Sequence, residues 1–195
     1  NDNGYVEVDK AGNLLLTDEG EQIYLGSVFP SENLAWRNDF RYKGINLGLL
    51  FTGRIGGICY SATQANMDLY GVSEVSAAAR DAGGVLINGR EMVDAQKWYQ
   101  AIGSQSGLPQ YYTYSATNFR LQELSLGYTL PSRSLRKAGI SQMRVYVSAD
   151  NIWTLTGYSG PDPEVSTRNS VLTPGFDWSA YPRAFGFTAG VNLTF

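Results

Sequence analysis

From Phe185 to Phe195 every odd position is apolar, while Ala184, Gly186, Thr188, Gly190, Asn192 and Thr194 between them are small or polar. A strand turns successive side chains to opposite faces, so this segment has one apolar face and one that can meet water. Four other segments keep the same period. In one, the even positions Leu34, Trp36, Phe40 and Tyr42 are apolar and Ala35, Arg37, Asp39 and Arg41 alternate with them. In the next, Ile45, Leu47, Leu49, Phe51 and Ile55 oppose Asn46, Gly48, Thr52 and Arg54. Lys43-Gly44 between these two is short enough for a hairpin turn. From Phe119 to Leu130 the apolar set changes parity, from Phe119 and Leu121 to Leu124, Leu126, Tyr128 and Leu130. A parity change inside a strand is what a β-bulge produces, which places one near Gln122-Glu123. From Gln142 to Leu155, Met143, Val145, Val147, Ala149, Trp153 and Leu155 share a face opposite Arg144, Tyr146, Ser148 and Asp150. Strands are therefore expected over about 34–43, 45–56, 119–130, 142–155 and 184–195, each about the length a tilted strand needs to cross hydrocarbon.

The connections alternate. Lys43-Gly44 is tight, and Pro131 to Ser141, carrying Arg133, Arg136 and Lys137, is modest; the stretches 57–117 and 156–183 are long. Short periplasmic turns and long extracellular loops mark bacterial outer-membrane barrels. Counting back from a periplasmic Phe195, the loops 1–33, 57–117 and 156–183 fall outside the cell. The expected fold class is all-β, a transmembrane antiparallel β-barrel. Five strands cannot close one, because an open edge in lipid leaves backbone groups unsatisfied. The chain is thus expected to supply the C-terminal five strands of a larger barrel. No signal peptide opens it, so the export signal is expected upstream or already cleaved.

Composition narrows the chemistry. Thirteen Tyr, four Trp and 22 Gly in 195 residues suit membrane strands, and equally a soluble carbohydrate-binding β-sandwich. A net charge of -3 argues against nucleic acid. A single cysteine, Cys59, excludes an internal disulfide and reads as a small apolar residue. The absence of histidine removes the commonest general base and metal ligand. Asp162 and Glu164 lie in one short segment, with nothing to set them on either side of a bound sugar as glycoside hydrolysis requires. No enzyme, cofactor or metal is expected.

Several segments, read in order, resemble the C-terminal end of the SusC/RagA-like family of TonB-dependent outer-membrane transporters. These are Phe40-Arg41-Tyr42-Lys43-Gly44-Ile45-Asn46-Leu47, Phe119 through Pro131, Arg144 through Trp153, Asp162-Pro163-Glu164, Tyr181-Pro182-Arg183 and Asn192-Leu193-Thr194-Phe195. The resemblance covers roughly residues 20 to 195. It implies a barrel of about 22 strands filled by an N-terminal plug that this chain lacks. It also implies uptake of oligosaccharides or oligopeptides, a SusD-like surface lipoprotein as lid, and drive from the TonB complex through the missing part. The first residues depart from the family. Asp2-Asn3-Gly4 and Val8 to Asn13 loosely suggest an acidic loop, but Lys10 and Ala11 stand where a calcium cage needs oxygen ligands.

Candidate site residues follow. Arg37, Asp39, Arg41, Arg54, Arg144 and Asp150 fall on the expected lumen face. Trp36, Tyr42, Tyr128, Trp153, Phe185, Phe187 and Phe195 are expected on the lipid face or in the closing strand, as girdle anchors. In the loops, Ser73 caps an expected helix over Glu74 to Arg80, and another is expected over Arg90 to Ala101. The second helix carries Trp98 and Tyr99, with Trp98 expected to pack it onto the barrel rim in preference to a ligand. Tyr111, Tyr112 and Tyr114 suit a sugar or peptide, or an aromatic belt. Tyr158, Phe176, Trp178 and Tyr181, with Asp162, Glu164 and Asp177, form a candidate cluster for partner or substrate. The Asp-Pro-Glu piece is expected to be structural, accepting backbone N–H bonds. The alternatives are a soluble glycan-binding β-sandwich and an outer-membrane barrel without a lid.

Overall fold

The computed structural model describes residues 5–16, 23–105, 107–135, 139–164, 166–167 and 174–195. In chain order its elements are β1 (Glu32–Tyr42), β2 (Ile45–Ile55), β3 (Ile58–Ser61), α1 (Ala62–Leu69), α2 (Glu74–Asp81), β4 (Val85–Ile87) and β5 (Glu91–Val93). Then come α3 (Ala95–Gly103), a 3-10 turn (Pro109–Tyr112), β6 (Thr113–Ser115), β7 (Asn118–Thr129), α4 (Ser132–Leu135), β8 (Gln142–Thr156), β9 (Phe176–Asp177) and β10 (Gly186–Thr194). Among the described residues no helix is long and apolar enough to cross a membrane. Asp2-Asn3-Gly4, Arg136 and Lys137 lie outside the described residues.

Two compact units divide the chain. The sheet unit, 29–57, 116–163 and 181–195, holds one five-stranded sheet in the order β1-β2-β7-β8-β10. All four pairings are antiparallel. The first hairpin closes through Lys43 (φ 47) and Gly44 (φ 88), two positive dihedrals that match the twist of the flanking strands. Gly44 is also required sterically, since a Cβ there would sit 2.7 Å from the Thr129 carbonyl oxygen.

The middle of the sheet is irregular in a regular way. Phe51 and Leu49 of β2 pair with Leu121 and Leu124 of β7, so Gln122 is an extra residue. Leu121 and Leu124 pair in turn with Trp153 and Ala149 of β8, which adds one more. Asn151 turns that second bulge with a φ of 53. Its side chain spans the gap, accepting from Gln122 Nε2 at 2.9 Å and donating from Nδ2 to the Ala184 carbonyl at 2.9 Å. The β8–β10 ladder stops at Asp150 opposite Gly186. This shortens the closing strand relative to the expected 184–195. Phe185 and Phe195 lie just outside it.

The second unit gathers the described parts of 1–28, 58–115 and 164–180. The stretches expected as open loops therefore contribute most of a folded body, and the all-β description holds for the sheet unit apart from the single turn α4, while α1–α3 belong here. β3 pairs antiparallel with β6 and parallel with β9, and β4 with β5 forms a hairpin. Ala65, Ile87, Val93, Trp98, Ile102 and Tyr112 make the core, with Val6, Val8 and Leu14 packed against it. Each helix starts on a side-chain cap: the Ser61, Ser73 and Asp94 oxygens accept from the Gln64, Ser76 and Lys97 N–H groups at 3.2, 3.1 and 3.0 Å. The Asp94 cap corrects the expected helix over Arg90 to Ala101: α3 begins at Ala95, and Glu91–Val93 is a strand. Asn88 docks the N-terminal segment by exchanging two bonds with Val6, at 2.9 and 2.7 Å. Asp9 accepts from the Ala11 and Asn13 amides, both at 2.8 Å, and from Asn13 Nδ2 at 2.9 Å. The Asn13 bonds hold its carboxyl below the usual range.

α1 and α3 cross closely at Gly103, where a Cβ would lie 2.7 Å from the Ala65 carbonyl oxygen. Gly103→Ala is expected to cost about 1–3 kcal/mol. Faster amide exchange across α1 and α3, with β7 unchanged, would show it; unchanged exchange in both helices would refute the close packing.

Candidate functional site

Phe176 and Trp178, on either side of Asp177, border a cleft of the second unit. Asp177 is buried and accepts from Ser61 Oγ at 3.0 Å, Thr63 Oγ1 at 3.0 Å and the Ala180 N–H at 3.3 Å. The Ser179 N–H donates to Thr63 Oγ1 at 2.7 Å. Thr167 Oγ1 clamps the backbone of Trp178, accepting from its N–H at 2.9 Å and donating to its carbonyl at 3.0 Å. The backbone that carries the flanking rings is thereby held in place. Phe176 stacks on Tyr60 with centroids 5.6 Å apart, and Trp178 follows at 6.0 Å from Phe176. The cleft they border has a volume of about 600 Å³, with Asn66, Tyr70 and Gln105 also lining it. Burial pushes the Tyr60 phenol up.

The sheet unit presents two chemically opposite faces. Register puts Arg37, Asp39, Arg41, Arg54, Arg144 and Asp150 on one of them. There Arg37 reaches Asp39 at 3.1 Å and Glu123 at 3.4 Å. Arg41, Asn46, Ser125, Gln142 and Arg144 border a polar hollow of about 400 Å³. The other face carries Trp36, Tyr42, Tyr128, Trp153 and Phe187 with the aliphatic residues between them. It stays open: Trp36 is 63% and Phe187 67% exposed. Trp36, Phe51, Phe119 and Trp153 form an aromatic row across four strands, with centroids 5.7, 5.7 and 6.2 Å apart.

Arg120 also lies on the charged face, and sequence reasoning passed over it. Its guanidinium grips Asp162 at 3.0 and 2.5 Å, and both side chains are buried. Arg183 Nε reaches the same carboxylate at 3.2 Å. The Asp-Pro-Glu and Tyr-Pro-Arg segments thus meet through side-chain charge.

Several expected contacts are overturned. Trp98 and Tyr112, at 7% and 2% exposure, lie in the core of their own unit, and Tyr158 is buried as well. All three rings are thus enclosed, and none is presented to a ligand. Tyr158 lies so close to Gly160 that a Cβ there would meet its ring at 2.5 Å. The Tyr99 hydroxyl donates to the Val75 carbonyl at 3.3 Å, Tyr111 sits edge-on to Trp98, and Tyr114 pairs with Cys59. Phe176 and Trp178 border the cleft, joined by Tyr60 and Tyr70, which the sequence did not single out. Tyr181 is exposed in the sheet unit. Of the carboxylates in the expected cluster, Asp162 belongs to the sheet unit, and Glu164 and Asp177 to the other.

Removing one member of a buried pair strands the other charge. Asp162→Ala is expected to destabilise the protein by about 3–5 kcal/mol, and Arg120→Met with Asp162→Leu to recover most of it. Thermal unfolding of the three proteins decides this; a double variant no more stable than the single one refutes it. Burial, with Asp68 beside it, raises the Tyr112 phenol well above its ordinary 10.0. Folded Tyr112 therefore holds its proton more tightly than the unfolded chain does. Its contribution is complete below pH 10 and is lost as pH climbs beyond that value. Tyr112→Phe is expected to flatten this alkaline loss in unfolding curves taken from pH 8 upward.

No family model matches the chain. It is 29% identical over 198 residues to TonB-dependent receptor P3 of Formosa agariphila, covering 98% of this chain and 19% of that protein. TonB-dependent receptor SusC of Bacteroides thetaiotaomicron is 30% identical over 95 residues, 48% of this chain and 9% of that protein. The RagAB peptide importer in its open-open state shares the fold, with a TM-score of 0.69 at 20% identity over 98% of this chain and 20% of that one. The chain spans about a fifth of the length of the curated relatives it matches from end to end. Along nearly its whole length the chain is thus similar in sequence to a segment of TonB-dependent receptors, and it shares its fold with a segment of a SusC/RagA-like transporter.

Proposed function

We propose that this chain is the C-terminal five-stranded wall of an outer-membrane importer that takes up oligosaccharides or oligopeptides, driven by TonB and capped by a SusD-like lipoprotein. The observation that carries this reading is the open apolar face of the sheet. Strands of 9 to 15 residues expose aromatic and aliphatic side chains on one side and gather their charges on the other. Lipid requires that division, since a midplane arginine facing it costs about 2–4 kcal/mol. A soluble sandwich would instead bury such a face, and a contiguous apolar surface of this kind marks a membrane or partner contact. In this reading Trp36, Trp153, Tyr42 and Tyr128 anchor the girdles. The polar face, with Arg41 and Arg144, looks into the lumen towards the plug. The edges β1 and β10 take the neighbouring strands that close a barrel of about 22. Loops 57–117 and 156–183 stand outside the cell, within reach of the lid and the solute. Binding and passage, with no bond made or broken, are its work.

The test joins location to transport. Cells expressing the intact transporter are expected to carry it in the outer membrane, copurifying with a lipoprotein, and to lose solute uptake when TonB is deleted. Leu126→Arg, on the apolar face, is expected to abolish assembly, while Thr188→Arg, on the other, leaves it intact. Recovery in the aqueous fraction, or equal tolerance of both substitutions, would sink the reading.

A further inference from the structure

We propose that the Tyr60–Phe176–Trp178 cleft binds a neutral pyranose chain by stacking sugar rings on its aromatic wall. The import reading makes no use of this cleft, yet its construction is that of a site. Trp178 is 50% exposed, so its ring contributes little to its own core. It is nonetheless held from three sides. The buried Asp177 ties the preceding position to Ser61 and Thr63, Thr167 fixes both its backbone groups, and Ser179 behind it adopts a φ of 50. Rigidity of that kind lowers the ordering cost of binding, because the backbone that carries the ring is already in place. A surface aromatic present for packing alone has no use for it.

The chemistry of the lining selects the ligand. Three rings follow one another with centroids 5.6 and 6.0 Å apart, and Tyr70, 77% exposed, adds a fourth. A pyranose offers the matching surface, a flat apolar patch of C–H groups ringed by hydroxyls. The Asn66 and Gln105 carboxamides each supply donors and an acceptor for those hydroxyls. Among the described residues, no charged side chain lines the cleft. A uronate, a sulfated sugar or a charged peptide would therefore bring its charge to a wall without a counter-charge. The volume, about 600 Å³, lies within the roughly 300–1,000 Å³ span of small-molecule sites. That such a sugar is cargo rests on the import reading; that the cleft binds it does not.

The test uses the intact transporter purified in detergent, where neither TonB nor a gradient is needed. It is offered three mixtures: neutral oligosaccharides from partial hydrolysis of starch, cellulose, xylan, mannan and galactan; oligogalacturonates; and a tryptic digest of casein. Retained molecules are identified by mass spectrometry and titrated against tryptophan fluorescence. Retention of neutral saccharides is expected. Trp178→Ala and the surface variant Tyr70→Ala should each weaken it about tenfold, roughly one well-placed ring stack, while Trp178→Phe keeps most of it. Retention of peptides or oligogalacturonates alone, of no saccharide, or undiminished saccharide binding by both alanine variants would overturn the site. Loss of uptake without TonB, combined with no neutral-sugar binding, leaves the importer standing and removes the cleft. Sugar binding by a protein found in the aqueous fraction does the reverse.

Discussion

All five long strands must keep their apolar residues in phase, because a slip of one residue sends every side chain to the wrong face. The sheet meets this constraint while bending. Relative to β2, β7 carries one extra residue and β8 carries two. The insertions accumulate across neighbouring strands, so the rows on either side still align: Trp36, Phe51, Leu121 and Trp153 above the bulges, Phe40, Leu47, Leu126 and Val147 below them. Asn151 stitches the gap by serving both neighbours through its side chain. A positive φ is tolerable for asparagine and would be strained for a β-branched residue, which explains the residue type there.

Charge organises what the ladder leaves free. Asp162 follows the end of β8, Arg183 precedes β10 and Arg120 lies within β7, so one carboxylate draws three parts of the chain together. The two-pronged Arg120 grip fixes angle as well as distance, which a lysine could not do. Asn118 completes the set by accepting from Arg120 Nε at 3.0 Å. Burying these charges is costly, so the triad is better understood as specifying one arrangement than as adding net stability.

The sheet was legible because alternation is local. The bulge at Gln122 could be read from the parity change in β7. Its companion in β8 could not, since two added residues restore the original parity and leave no trace in the pattern. The second unit was obscured for a different reason. Its strands run two to four residues, too short to display a period, and its core joins Val8 to Trp98 and Tyr112 across wide gaps in the chain. Ser73 marks the start of α2, whereas Asp94, which caps α3, lies inside the partial apolar stripe of Met92, Ala95 and Trp98 and is not set apart by it. The Arg120–Asp162 pair spans 42 positions and leaves no local signature.

Trp98 and Trp178 show why residue type alone locates no site. Both follow a polar residue, both sit in the second unit, and both suit a ligand by composition. Trp98 lies on the inward face of α3, and its ring is consumed by Ile87, Val93 and Ile102 in the core. Trp178 lies just past β9, beside an aspartate that the fold has turned inward instead, and its indole is left half exposed. The buried carboxylate thus decides the exposure of its neighbour. An acid in that place, satisfied by two hydroxyls, is a costly way to end a strand and an effective way to hold an aromatic ring still in water.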